Sequence, residues 1–127
     1  MSITINHQTN DISATTGGLS ISKLVLNSGY TEQVFALSGT TPALSPANGT
    51  IQTWALSANS APTAGTWDSG QSLTLLISNP SGYTVTWPSI TWRTDVASAP
   101  TLRITGYTIV QLWKVNTVIY GARVGEA

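Results

Sequence analysis

Apolar and polar residues alternate along most of this chain, and no stretch carries the three-to-four-residue spacing of an amphipathic helix. In 71–77, Leu73, Leu75 and Ile77 share one face, with Ser72, Thr74 and Leu76 on the other. In 107–115, Ile109, Trp113 and Val115 oppose Val110 and Leu112. In 19–27, Leu19, Ile21, Lys23, Val25 and Asn27 oppose Leu24 and Leu26. Thr, Val, Ile, Trp and Tyr dominate these segments, the residues that fit a pleated, half-buried surface. The pattern predicts strands near 3–5, 12–15, 19–27, 32–38, 50–58, 71–79, 83–87, 101–105, 107–115 and 117–124. Asn116-Thr117 falls where a tight turn joins the last two into a hairpin.

Breakers separate the strands. Pro42, Pro46 and Gly49 mark a loop over 39–49, Pro62 and Gly65 a second over 60–65, and Asn79-Pro80-Ser81-Gly82 a shorter turn into Tyr83. Many short strands between such loops predict an all-β fold, a jelly-roll-like antiparallel β-sandwich. A chain of 127 residues makes one domain of this kind. Residues 1–18 differ in character: they are polar, contain Gly17-Gly18, and have Ile3, Ile5 and Ile12 as apolar anchors. They read as an extended N-terminal arm or as a first strand pair, with 19–127 as the sandwich domain.

Charge changes the picture more than size does. Charged residues make up 8% of the chain, against about 25% in an ordinary soluble domain. Ser and Thr, 35 in all, stand in their place. A hydroxyl surface with zero net charge resists association weakly, which suits a protein that works in contact with copies of itself. The five basic residues, Lys23, Arg93, Arg103, Lys114 and Arg123, are scattered. Neither nucleic acid nor an anionic membrane surface is therefore an expected partner. The first residues have no cationic start followed by a long apolar run, so secretion is not expected. Apolar runs are a few residues long, far short of the ~20 of a spanning helix.

The residues that carry chemistry are few. Asp11, Glu32, Asp68, Asp95 and Glu126 are far apart in sequence and form no local acid–base pair. His7 is the sole histidine, there is no Gly-x-Ser-x-Gly elbow, and there is no cysteine. The reading is a protein without enzymatic activity, cofactor or metal. The aromatic residues point to packing and interfaces instead. Trp54 and Trp113, inside apolar strands, are expected in the core, and Trp87 and Trp92 are expected to brace the bend at Pro88. Trp67, between a loop and Asp68-Ser69-Gly70, and Tyr107 are the expected exposed or interfacial rings. Ile3, Ile5, His7 and Ile12 join them as contact residues of the N-terminal segment.

Several segments together carry a resemblance. Gln71-Ser72-Leu73-Thr74-Leu75-Leu76-Ile77 is followed by Tyr83-Thr84-Val85-Thr86-Trp87-Pro88-Ser89-Ile90-Thr91-Trp92, then Ala99-Pro100-Thr101-Leu102, Gln111-Leu112-Trp113-Lys114 and Tyr120-Gly121. This order resembles a β-rich module of tailed-bacteriophage virion proteins, found in tail-fibre ends and in small head-decoration (cement) proteins. The resemblance spans about 49–125. It departs at Arg93-Thr94-Asp95-Val96-Ala97-Ser98, where such modules place a short Gly-rich turn. It implies a jelly-roll-like sandwich that assembles as a homotrimer and performs no chemistry.

Two functions follow as expectations. One is a capsid decoration protein, located in the virion and clamping the major capsid protein. The other is a tail-fibre tip that stacks host glycans on Trp67 and Tyr107. Oligomerisation has a physical motive in either case, because this chain has few charges with which to guard its sheet edges.

Overall fold

The computed structural model describes residues 3–6, 8, 11–14 and 18–126, and the chain divides into two compact units, Met1–Tyr30 and Thr31–Ala127. In the first unit, β1 (Ile3–Asn6) and β2 (Asp11–Ala14) pair antiparallel, with Ile3 opposite Ala14 and Ile5 opposite Ile12. The second unit holds β3 (Val34–Leu37), β4 (Ile51–Ala55), β5 (Ser72–Ser78), β6 (Thr91–Trp92), β7 (Tyr107–Val115) and β8 (Val118–Glu126). These form one six-stranded sheet in the order β3-β4-β5-β7-β8-β6. Apart from the short 3-10 turn Pro46–Asn48, the described residues are strand, turn or extended chain.

The sheet is mixed, which corrects the antiparallel arrangement expected from the alternation. The pairs β3–β4, β4–β5 and β6–β8 are parallel; β5–β7 and β7–β8 are antiparallel. Parallel neighbours need a crossover of about a dozen residues or more. The connections 38–50 and 56–71 are long enough to supply it. They do so without an α-helix, and their side chains become the layer over one face of the sheet. Leu44, Leu56 and Trp67 from the crossovers pack on Trp54, Leu73, Leu75, Ile77, Val110 and Leu112 from the strands.

Side-chain bonds hold these crossovers down. The buried Gln52 Nε2 donates to the Ser45 carbonyl at 2.7 Å and to the Gly49 carbonyl at 3.0 Å. Ser45 Oγ donates to the Thr66 carbonyl at 3.0 Å. Gly65, at φ +72°, lies against Ser45 so closely that a β-carbon there would sit 2.8 Å from that of Ser45. Only glycine suits both that backbone and that contact.

The remaining differences from the expected strands have specific causes. Residues 83–87 are an extended strap touching the crossover through the Ser60–Val85 bridge, with Tyr83, Val85 and Trp87 turned toward the core. Residues 101–105 bend around a bond from the Arg103 N–H to Thr108 Oγ1 at 2.8 Å, and Leu102 packs inward. Residues 19–27 form no strand at all. β6, absent from the expected set, is two residues long and pairs with β8 at Gly121. A β-carbon on Gly121 would come within 2.8 Å of the Trp92 ring and 2.9 Å of Ile90 and Leu112, so this glycine sets how closely β6 approaches. Asn116 takes the left-handed conformation, φ +54°, in the expected two-residue turn.

Candidate functional site

The crossovers cover one face of the six-stranded sheet, and the opposite face has no such layer among the described residues of the sheet unit. Because side chains alternate along each strand, the register assigns the uncovered face to Ile51 and Thr53, Thr74 and Leu76, Ile109, Gln111 and Trp113, and Tyr120 and Ala122. None of these is buried. Thr74 Oγ1 donates to Gln111 Oε1 at 2.7 Å in the middle of this surface. Toward the hairpin end the Trp113 and Tyr120 rings stack, 5.8 Å between centres and 22° between planes. The Arg93 guanidinium lies 5.2 Å from the centre of the Tyr120 ring. Arginine over tyrosine over tryptophan makes a flat, amphipathic row of the type that anchors interfaces.

The strongest apolar exposure lies elsewhere, between residues 19 and 35. Of the fourteen large hydrophobic residues exposed among the described residues, eight fall here: Leu19, Ile21, Leu24, Val25, Leu26, Tyr30, Val34 and Phe35. Leu24 and Val25 are 64% and 66% exposed, although together with Leu26 they form an apolar run. Val34 and Phe35 belong to β3, an edge strand that pairs with β4 alone. The Gln33 carbonyl accepts the Ile51 N–H at 3.4 Å. Alternation of the backbone then directs the N–H and C=O groups of Val34 and Ala36 away from β4, toward the open edge.

The residues singled out from sequence are distributed differently. Ile3 and Ile5 lie on β1 and Ile12 on β2, where Ile12 is 60% exposed; His7 lies outside the described residues. Tyr107 opens β7 and is 44% exposed. Trp67 is not an exposed ring: it is 7% exposed and belongs to the core. Its Nε1 donates to the carbonyls of Leu44 at 2.7 Å and Ala64 at 2.8 Å, while its own carbonyl accepts from Lys114 Nζ at 2.8 Å. Trp113 is half-buried on the uncovered face rather than in the core, whereas Trp54 is buried as expected. Trp87 and Trp92 meet edge to face, 5.1 Å between ring centres, across the Pro88 bend.

Sequence reasoning did not place the Arg93–Tyr120–Trp113 row, although part of it was legible. Trp113 and Tyr120 are equidistant from Asn116-Thr117, so a two-residue hairpin sets them opposite one another. Gln111, between Ile109 and Trp113, marked that face as the wetter one.

The ion pairs among the described residues lie at the surface. Glu126 is held by Arg103 and Arg123, and Glu32 accepts the Thr50 hydroxyl at 3.0 Å. Among the described residues no three of His, Cys, Asp and Glu gather as metal ligands do. A shallow depression of about 370 Å³, with Tyr83, Trp87, Pro100 and Leu102 in its walls, has no charged side chain in its lining. Comparison of the chain with protein-family models, curated proteins and solved structures gives no match.

Proposed function

We propose that this chain is a non-enzymatic structural protein of a tailed-bacteriophage particle, a capsid decoration (cement) protein that joins the outer head shell as a homotrimer. Two observations carry the assembly reading: the exposed apolar residues of the segment 19–30, Leu24 and Val25 foremost, and, in the sheet unit, the unpaired edge of β3 with Val34 and Phe35 exposed. Large apolar side chains left exposed in such numbers mark an interaction site. The order of motifs over 49–125 supplies the phage identity and, with it, the major capsid protein as partner and the virion as location. The reading keeps a jelly-roll-like sandwich as its architecture, with the crossovers 38–50 and 56–71 and the strap 83–87 as the second layer. The bridges Ala43–Thr63 and Ser60–Val85 are the pairings that support such a layer. A protein that binds only the assembled shell stabilises it by mass action.

The tail-fibre-tip alternative loses Trp67 as a stacking surface, since that ring is enclosed. Tyr107 and the stacked Trp113–Tyr120 pair are the rings still on offer to a glycan.

The test is co-sedimentation of the purified protein with undecorated heads, alongside a glycan array. Saturable pelleting at three copies per local symmetry axis, with a silent array, is expected. Glycan binding that is lost in Tyr120→Ala, with no pelleting on heads, would replace the decoration reading with the alternative.

A further inference from the structure

We infer that residues 19–27 of one copy add as a strand to the open edge of β3 in a second copy. Among the described residues neither the segment nor the outer edge of β3 has a strand partner, and their chemistry matches. The segment alternates as a strand does, yet among the described residues it makes no ladder. Leu24, Val25 and Leu26 are apolar in succession, the pattern of a strand that is covered on both faces. A lone extended chain cannot cover both of its own faces. An added strand at β3 would meet Val34 and Ala36 on one face of the sheet and Phe35 on the other, all three exposed.

The backbone half of the contact is equally specific. Val34 and Ala36 present two N–H and two C=O groups at the open edge, as the Gln33–Ile51 bond requires. These are the groups that take up an extended peptide in strand addition. Nothing guards this edge in the usual way: β3 has no Lys, no Pro and no bulge. The charges are opposite in sign. Lys23 is the only charge within 19–31, and Glu32 is the only one from there to residue 67.

A second copy is the occupant because each copy carries one segment and one edge. Head-to-tail addition then uses both and closes as a ring of identical contacts, leaving neither exposed. The inference does not depend on which particle the ring joins. Failure to bind heads would leave it standing, and a monomer that binds heads would overturn it alone.

The experiment uses two full-length variants, each disabling one half. Ala36→Pro removes an N–H that β4 does not use, so the β3–β4 ladder survives while the edge is blocked. Leu24→Lys combined with Leu26→Lys leaves the edge intact and places charge on the segment. Each is expected to run as a single chain in light scattering coupled to size exclusion, under conditions where the parent is an oligomer. Mixed together, they are expected to form a one-to-one heterodimer, because one competent segment and one competent edge remain. Near-UV circular dichroism matching the parent checks the fold. Should Ala36→Pro perturb it, Ala36→Lys blocks the same edge with the backbone unchanged. Parent-like oligomers from the edge variant, or a mixture with no heterodimer, would overturn the inference.

Discussion

Replacing Trp67 with alanine is expected to lower the unfolding free energy by about 3–5 kcal/mol, the range for truncating a buried large aromatic side chain. The ring is placed where both crossovers meet the sheet, packed in the core that includes Leu44 and Leu112. Its removal opens a cavity and also strips two carbonyls, those of Leu44 and Ala64, of their shared donor. Total stabilities are about 5–15 kcal/mol, so one substitution removes a large part of the margin. Trp67→Phe keeps most of the volume and loses only the N–H, at a cost of about 1–3 kcal/mol for the carbonyls left unsatisfied. Urea titrations of the three proteins give the order parent, Phe, Ala. A Trp67→Ala protein within 0.5 kcal/mol of the parent would show that the ring does not tie the crossovers together.

Truncation to Thr31–Ala127 is expected to leave the fold intact and abolish assembly. Among the described residues every member of the hydrophobic core lies between Leu37 and Leu112, with Ile119 packed against it, so the truncated chain keeps that core. It also keeps all five tryptophans, and its near-UV spectrum is expected to overlay that of the full chain. What it loses is the apolar segment with Leu24, Val25 and Leu26, and with it self-association and retention on phage heads. A truncated chain that still pellets with heads would place the contact in the sheet unit alone.

The all-β class and most strand positions were legible because period-two alternation is a local signal. Leu73, Leu75 and Ile77 alternate in sequence and lie fully buried on one face. Strand direction was not legible in that signal, since alternation is identical in parallel and antiparallel strands. It was present in loop length: 39–49 reads plainly as a loop, and a loop that long is a crossover as readily as a hairpin connection. Trp67 was misplaced for a related reason. Flanking Gly65 and Gly70 suggested exposure, but a crossover lying on a sheet turns its largest ring inward. The segment 19–27 shows the opposite failure. Its pattern is that of a strand, yet a strand needs an edge to pair with, and pattern does not say which chain provides it.

Assembly itself is tested most directly by the mass of the intact protein in sedimentation equilibrium over a range of concentrations. A species at three times the 13.3 kDa chain mass is expected, dissociating only on dilution. A single 13.3 kDa species at every concentration, with residues 19–35 still accessible to protease, would contradict the assembly reading.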